Sequence, residues 1–428
     1  MRRTVGKLVG LALGSLTLVG SAGAAAACDL AIVGARLYAS PEAAPVARST
    51  VEIVDGRISA VHPDGRAAPP GCPSVDAGGK VLVAGFWNSH VHLLTPVLMD
   101  HAEASDAAVS QELTDKFLRW GFTTVFDLAS TTESATGVRA RVESGRVRGP
   151  RIRTVGAPFF PQGGTPIYAR PIYAQYGLPL PEVASPEAGA DRVGTQAAEG
   201  IDGIKLFTGA IVGETEVLPM PLDVTRALSE AAHPRGLPVF AHPTNAEGLA
   251  RAVEGGADVL AHSAALMGPW SEVFALDLAE RKVALVPTLA LFALHPHPST
   301  PVATSQQQVA ALRAAGGDIL FGTDAGFMDE YDTTLELRLL GDVMDWRGVG
   351  RPGGGDGTRG AGGGRRPRPA GRRSCAGRHR LLARGAGAEG WPDRLPGSSA
   401  RPLTDGASRP VTHAPQRSSR GWKLRTHA

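Results

Sequence analysis

The chain carries the stretch Val81-Leu82-Val83-Ala84-Gly85-Phe86-Trp87-Asn88-Ser89-His90-Val91-His92, an apolar run that ends in two histidines. The run is typical of a buried parallel strand. Because side chains alternate between the two faces of a strand, His90 and His92 point the same way. Two imidazoles on one face at the C-terminal end of a strand are spaced to share one metal ion. The stretch therefore predicts a metal site, although a His-x-His pair alone is also common by chance.

Strand candidates alternate with helix candidates from residue 81 onward. The eight strand candidates are residues 81–88, Thr123–Leu128, Arg151–Gly156, Gly203–Phe207, Pro238–Ala241, Asp258–Ala261, Ala284–Leu289 and Ile319–Gly322. Such alternation predicts a parallel sheet, and eight units predict an α/β fold of the TIM-like (β/α)8 barrel type over residues 81–345. The alternative is a doubly wound open sheet, but no glycine-rich phosphate-binding motif follows the first strand candidate.

The helix candidates include residues 105–120, 131–147, 221–235, 245–255, 271–282 and 303–316. Ser105 and Thr244-Asn245 precede two of them and are suited to cap their N-termini. The longest gap lies between the third and fourth strand candidates, and its first part, residues 157–182, is rich in Pro, Gly and Tyr. That segment is either a wall of the substrate pocket or a surface excursion.

Residues 28–80 alternate short β-rich runs with turns, and Asp55-Gly56 is a tight hairpin signal. We predict a small antiparallel N-terminal β-sandwich domain here. Before it, residues 1–27 combine basic residues, the apolar run Leu8 to Val19 and small residues, which is the pattern of a secretory signal peptide rather than a membrane span. The protein is therefore expected to be exported to the periplasm or secreted. Cys28 could then carry a lipid, as in a lipoprotein, or form a disulfide with Cys72.

The net charge of +3 averages two unlike parts of the chain. Residues 347–428 hold seventeen arginines and one lysine against four acidic residues, a charge of +14, so the first 346 residues carry −11. An acidic body gives no reason to expect a nucleic-acid partner. The expected partner is a small-molecule substrate, and the oligomeric state is left open.

Four polar residues lie on or at the ends of later strand candidates. Lys205 lies inside the apolar strand candidate Gly203–Phe207, while His242, His262 and Asp324 each close one. Any one of them is more often a core or capping residue than a ligand. Together with His90 and His92 they lie at the C-terminal strand ends, the rim where barrel enzymes place their chemistry. His101, His295 and His297 are weaker candidates for substrate contacts.

The order His-x-His, Lys, His, His, Asp resembles the amidohydrolase superfamily over roughly residues 30 to 342. The likeness includes Gly85-Phe86-Trp87-Asn88-Ser89-His90-Val91-His92, Gly121-Phe122-Thr123-Thr124-Val125-Phe126-Asp127, Ala241-His242-Pro243-Thr244 and Gly322-Thr323-Asp324-Ala325-Gly326. Within the superfamily the chain looks most like the imidazolonepropionase-like and Xaa-Pro or Xaa-Arg dipeptidase-like branch. The resemblance is specific for the superfamily and says little about the substrate.

The resemblance implies hydrolysis of a C–N bond in an amide, cyclic amide or dipeptide by a metal-activated hydroxide. It implies that His90, His92 and Asp324 bind one divalent metal ion. It further implies that an N6-carboxylated Lys205 bridges to a second ion held by His242 and His262, with Asp324 as the catalytic proton carrier. A single ion with unmodified Lys205 is the alternative. Zinc suits a histidine-rich site, while iron, manganese and nickel stay open.

Residues 346–428 change in character, since from residue 347 onward the sequence holds no Ile, Phe, Tyr, Met or Asn. We expect an Arg/Gly/Pro-rich disordered tail. One interpretation is a basic tail that binds an anionic partner. We favour a frameshift near residues 343–350, because a GC-rich gene read one base out of frame yields such a sequence. The final helix and strands of the resembling family would then be missing. The chain would be poorly stable and weakly active, or an inactive remnant of such an enzyme.

Overall fold

The computed structural model describes residues 28–41, 43–295, 301–345 and the short strand 382–384. The strands are β1 (Leu30–Leu37), β2 (Val46–Val54), β3 (Arg57–His62), β4 (Ser74–Asp76), β5 (Val81–Val83), β6 (Phe86–Val91), β7 (Phe122–Asp127), β8 (Arg151–Thr154), β9 (Phe160–Pro161), β10 (Glu182–Val183), β11 (Ile204–Leu206), β12 (Gly209–Ile211), β13 (Val217–Pro219), β14 (Val239–Ala241), β15 (Val259–Ala261), β16 (Ala284–Val286) and β17 (Leu382–Arg384). The helices are α1 (Pro96–Met99), α2 (Asp106–Lys116), α3 (Thr132–Glu143), α4 (Arg170–Gln175), α5 (Pro186–Ala198), α6 (Leu222–Ala232), α7 (Ala246–Glu254), α8 (Glu272–Glu280), α9 (Leu289–Leu294), α10 (Val302–Ala314) and α11 (Thr334–Gly341). The described chain is thus a mixed α/β structure.

The N-terminal sheet has the strand order β17-β5-β1-β2-β3, and β4 also pairs with β1. The β2–β3 hairpin turns at Asp55 and Gly56, whose φ angles of 52° and 66° suit the tight turn that the sequence predicts. However, β1 pairs in parallel with both β4 and β5. The expectation of a purely antiparallel domain is therefore wrong, because the short apolar runs do not encode which strands pair.

The opening stretch of the sequence forms two strands rather than one. β5 belongs to the N-terminal sheet, and after Ala84 and Gly85 the chain enters β6 in a different sheet. A side chain at Gly85 would have its Cβ only 2.2 Å from Thr123 Cγ2, so the close approach to Thr123 needs a glycine. The predicted strand over 81–88 is wrong in its bounds. His90 lies inside β6, and His92 follows it directly.

Two parallel sheets carry the remaining candidates, with the orders β6-β7-β8 and β11-β14-β15-β16. Single β-bridges join Phe159 to Leu206, Ile319 to Leu285, and Ala325 to Val91. The eighth strand candidate is therefore present as bridges and not as a regular strand. Because the C-terminal ends of parallel strands share one edge, residues that follow β6, β14 and β15 are brought to the same side of their sheets.

The predicted helix starts at Ser105 and Asn245 are confirmed. The Ser105 hydroxyl accepts from Ala108 N, and the Asn245 side chain accepts from Gly248 N. Helices α2, α3, α6, α7 and α8 fall within their predicted spans, and α10 begins one residue before its own. The largest apolar cluster lies between α6, α7, α8, α10 and the four-stranded parallel sheet, with Leu228, Leu260 and Leu285 fully buried.

Cys28 and Cys72 form a disulfide, with their Cα atoms 5.2 Å apart. This is one of the two alternatives that the sequence left open for Cys28, and the bond uses the sulfur that a lipid would need. The predicted signal peptide, residues 1–27, lies outside the described residues, and so does the predicted tail, residues 346–428, apart from β17. Within the described part of the chain, none of the helices is long and apolar enough to cross a membrane.

Candidate metal centre

Three side chains bring potential metal ligands together at the C-terminal end of β6. His92 Nε2 lies 2.7 Å and His90 Nε2 lies 3.0 Å from the same oxygen, Oδ1 of Asp324. The ligand atoms of these residues lie within 4.8 Å of one another, and all three side chains are buried. Two imidazoles and a carboxylate are donors that zinc and related divalent metals accept. The group could therefore hold a metal ion.

Backbone pairing beside β6 sets this geometry. Asp324 N donates to His90 O at 2.9 Å, and His92 N donates to Ala325 O at 2.7 Å. Asp324 has a φ of 60°, a strained conformation for a residue with a side chain and one that tends to occur at functional sites. At Gly326 a Cβ would come within 2.0 Å of His92 O, so only glycine allows the chain to pass this close.

His262, His242 and Lys205 lie beside the three ligands. His262 Nε2 is 3.7 Å from Asp324 Oδ2, and the rings of His242 and His262 meet edge to face with centroids 4.7 Å apart. Lys205 is 1% exposed, and its Nζ donates to Ala261 O at 2.9 Å. All six predicted residues line one cavity. Their assignment as ligands remains a prediction for His242, His262 and Lys205.

Burial controls the protonation of the cluster. It lowers the pKa of His90 to about 3 and that of His262 to about 4, because a charged imidazole would be poorly solvated. Burial likewise lowers the pKa of Lys205 to about 7, in spite of the opposing charge on Asp324. Burial alone would raise the pKa of Asp324, but its contacts with His90 and His92 hold that pKa well below the usual range. The cluster thus offers uncharged imidazoles at His90 and His262 and the carboxylate of Asp324 near neutral pH, the forms that bind cations.

The hydrogen bonds of His92 fit a cation at this position. Its Nδ1 lies 3.2 Å from Ala129 O, which can only accept, so Nδ1 carries a proton. Nε2 faces Asp324 Oδ1 at 2.7 Å, where a proton or a bound metal ion can lie between the two atoms. The Nδ1 atoms of His90 and His262 are buried and have no hydrogen-bond partner among the described residues. Within that part of the chain no direct acceptor fixes the tautomer of either ring.

The cavity in front of the cluster has a volume of about 1150 Å³. Residues of the 157–182 segment line it, among them Phe160, Tyr168 and Tyr173, so this segment forms a wall of the pocket rather than a surface excursion. His295 also lines it. His101 instead borders a small surface depression with Asp106 and Arg141, which corrects the expectation that it reaches the pocket. His297 lies outside the described residues.

Two polar residues that support the ligands were not identified from the sequence. Asn88 Nδ2 donates to Thr323 Oγ1 at 2.8 Å and so ties β6 to the segment that carries Asp324. Asp127, which is fully buried, accepts from Leu93 N at 3.1 Å and from Ser130 Oγ at 2.6 Å. Both residues lie in motifs quoted above. A polar side chain on an apolar strand, which needs a buried partner, was the signal available.

Comparison with solved structures identifies the fold. The chain is similar to a Xaa-Pro dipeptidase with bound methionine in its active site, with a TM-score of 0.62, 21% identity, and coverage of 78% of this chain and 86% of that chain. It is also similar to molinate hydrolase, with a TM-score of 0.55, 24% identity, and coverage of 77% and 78%. A third is A. niger ochratoxinase, with a TM-score of 0.59, 19% identity, and coverage of 78% and 83%. These likenesses show an amidohydrolase-like fold. No family model and no curated protein matches the sequence.

Proposed function

We propose that the chain is a metal-dependent hydrolase that cleaves a C–N bond in an amide, cyclic amide or dipeptide. The observation that carries the proposal is the convergence of His90, His92 and Asp324 at the floor of a large cavity. The fold shared with hydrolases such as a Xaa-Pro dipeptidase supports it. A divalent cation held by these three residues would lower the pKa of a bound water and polarise the carbonyl of the substrate.

Asp324 is the proton carrier in this proposal. Its Oδ1 contacts both His90 and His92, whereas its Oδ2 is directed towards His262 at the longer distance of 3.7 Å. Oδ2 is therefore the atom on which a proton can be held. The carboxylate would take a proton from the attacking water and then deliver it to the leaving nitrogen, so that the amine departs uncharged.

Lys205 is proposed to become N6-carboxylated and to bridge to a second ion held by His242 and His262. Its low pKa leaves a substantial uncharged fraction near neutral pH, and only the free amine reacts with CO₂. The reaction joins the Nζ to the carbon of CO₂ and releases one proton. The alternative is one ion with Lys205 unmodified, its Nζ donating to Ala261 O as observed. Zinc is the proposed metal.

We also propose that the parallel strands form a closed (β/α)8 barrel next to a composite N-terminal β-sandwich. The bridges Leu285–Ile319 and Val91–Ala325 support closure, because they connect β16 to β6 through the segment 319–325. The bridge Phe159–Leu206 connects β11 to a residue that follows β8. Export of the protein remains a further proposal. The Cys28–Cys72 disulfide is consistent with it, since such bonds persist in oxidising compartments.

A second candidate is an inactive remnant of such an enzyme. The observation that favours it is the change of composition at residue 347, after which the sequence lacks five residue types that the preceding part uses. Resequencing the gene across codons 340–350 separates the two candidates. A restored frame would encode a regular final helix and strands and would favour the enzyme, whereas an unchanged sequence would favour the inactive remnant.

The proposed reaction is tested with the full chain and defined metal content. Purified protein is treated with zinc, with and without bicarbonate, and assayed for release of amine from dipeptides and N-acylglycines. Hydrolysis that depends on zinc supports the proposal. Two ions per chain in bicarbonate and one without it support the carboxylated Lys205, while one ion in both conditions leaves the single-ion alternative. Absence of hydrolysis with zinc bound contradicts the enzymatic proposal.

A further inference from the structure

An unbroken series of aromatic contacts runs outward from the metal-site histidines. The Phe207 ring stacks on the His242 ring with centroids 4.5 Å apart. Phe160 meets Phe207 edge to face at 4.7 Å, and Tyr173 meets Phe160 at 6.2 Å. All four side chains line the cavity. Edge-to-face pairs at these distances form a firm apolar wall that begins at the candidate reaction centre.

The aromatic wall is continued on the other sides of the cluster. Phe292 meets the ring of His262 edge to face at 5.5 Å, and Tyr168 meets Phe327 at 5.1 Å. Phe327 is three residues beyond Asp324 in the sequence. Aromatic side chains therefore contact two of the histidines, and the Tyr168–Phe327 pair lines the same cavity. Such surroundings favour a flat apolar group in van der Waals contact with the rings.

The segment that supplies this wall is held in place by two charged residues. Arg192 donates to Ala157 O and Pro158 O at one end of the segment and to Pro181 O at the other, at 3.3, 2.6 and 2.8 Å. Glu182 accepts from Gly163 N at 2.8 Å and from Thr165 Oγ1 at 2.6 Å. The wall is thus preformed, and its placement does not depend on a ligand.

The charged groups of the cavity do not favour an anionic group at the wall. Arg192 faces the cavity with its guanidinium already engaged by three backbone carbonyls and lying 4.2 Å from the centre of the Phe159 ring. Glu214, Glu216 and Asp329 are acidic residues of the same lining. A neutral substituent fits these surroundings better than a carboxylate. The volume of about 1150 Å³ exceeds the upper end of the range of about 300–1000 Å³ that is typical for drug-sized ligands.

We propose that the substrates are amides whose acyl side carries a bulky neutral aromatic group, bound against Phe160, Tyr173 and Phe207. This inference rests on the proposed function, since it names the substrate class of the same site. Small dipeptides would leave most of the cavity unfilled and would gain little from the wall. Burial of an aromatic ring there removes apolar surface from water and so favours the larger substrates.

The experiment compares N-acetylglycine with N-(2-naphthylacetyl)glycine, which share the leaving amine and differ only in the acyl group. We expect a kcat/KM at least about tenfold higher for the naphthyl compound. The Tyr173→Ala variant is expected to lower that ratio by at least about fivefold, while Tyr173→Phe preserves it because the ring remains. Tyr176→Ala is the matched control, since Tyr176 lies in the same segment but not in the cavity lining.

A binding measurement keeps this inference separate from the catalytic one. The ketone 2-naphthylacetone has no C–N bond, and its affinity for the full chain is measured by calorimetry against that of butanone. Tight binding that Tyr173→Ala weakens and Tyr176→Ala does not supports the aromatic wall even if no amide is cleaved, an outcome that contradicts only the enzymatic proposal. Hydrolysis with equal kcat/KM for both acylglycines, or ketone binding unchanged in Tyr173→Ala, overturns the inference.

Discussion

Asp324 in the metal centre and Glu336 on α11 are both buried carboxylates, yet their surroundings shift their pKa values in opposite directions. Asp324 contacts His90 and His92, and its pKa lies well below the usual range. Glu336 accepts from Leu289 N at 3.0 Å and from Ala290 N at 2.6 Å, and burial raises its pKa to about 8 despite these bonds.

The difference shows that the partners of a buried acid decide its charge. The contacts with His90 and His92 stabilise the carboxylate of Asp324. Two backbone N–H groups at the start of α9 are not enough for Glu336, whose side chain is fully buried. The Asp324 carboxylate is therefore an anion that is available to a cation. Glu336 is a largely neutral acid that supports α9, and α9 presents Phe292 to His262.

Removal of the negative charge of Asp324 is expected to have the largest effect on activity. The Asp324→Asn variant should lose at least about 10³-fold in kcat/KM and bind zinc more weakly, because it loses both an anionic ligand and the proton carrier. Steady-state kinetics and zinc content per chain check this. Asp318→Asn is the control, since Asp318 is exposed. Activity of Asp324→Asn within tenfold of the wild type would contradict the role of Asp324.

The protonation of Glu336 is tested by the pH dependence of the free energy of unfolding. Glu336 has a pKa of about 8 in the folded chain against 4.5 for an unperturbed glutamate. Between these values the folded chain holds a proton that the unfolded chain has released. The contribution of Glu336 to the free energy of unfolding is therefore complete below pH 4.5 and falls as the pH rises through 8, by on the order of 5 kcal/mol.

The Glu336→Gln variant removes this titration. We expect the unfolding free energy of the wild type to fall relative to that of the variant between pH 5 and pH 8, as measured by urea denaturation. Glu280→Gln, at an exposed position at the end of α8, serves as the control. A difference between wild type and Glu336→Gln that stays constant over this pH range would show that Glu336 is charged in the folded chain.

Asp127 extends the comparison to a third buried carboxylate, which is not itself part of the cavity lining. Its Oδ1 accepts from Leu93 N and its Oδ2 accepts from Thr154 Oγ1, whereas an asparagine would offer only one acceptor oxygen for the two donors. The Asp127→Asn variant is expected to bind zinc about tenfold more weakly, because the residues around His92 lose their support. Competition with a zinc chelator measures this. Unchanged affinity would limit the role of Asp127 to folding.

An exposed carboxylate gives the smallest expected effect. Asp277 pairs with Arg281 one turn further along α8 at 2.8 Å, and both side chains are about half exposed. The Asp277→Asn variant should change the free energy of unfolding by no more than about 0.5 kcal/mol. The midpoint of denaturation by urea measures the change. A loss several times larger would mean that burial is not what separates these carboxylates.

The meeting of His90, His92 and Asp324 could be expected from the sequence because these residues lie at or just beyond the C-terminal ends of apolar runs. Parallel strands bring their C-terminal ends together, so His90, His92 and Asp324 meet although 232 positions separate His92 from Asp324. Helix starts at Ser105 and Asn245 could be predicted for a similar reason, since an N-cap depends on local hydrogen bonds. The carboxylation of Lys205, the second ion, export and the frameshift stay predictions.

Features that depend on pairing across the fold could not be predicted. The break between β5 and β6 rests on Gly85 passing close to Thr123, a contact between residues far apart in sequence. The N-terminal sheet is mixed because β1 pairs in parallel with both β4 and β5. Glu336 reads as an ordinary polar residue of a helix, and only the packed structure shows that it faces the backbone of α9.

The Arg192 guanidinium joins Ala157 and Pro158 to Pro181, so one side chain holds both ends of the 157–182 segment. The residues between these ends can therefore be exchanged as a unit. A graft or library that keeps both ends and Arg192 can replace the intervening residues without moving the strands that carry the histidines. The shape of the cavity could thus be changed while the residues of the candidate metal centre stay as they are.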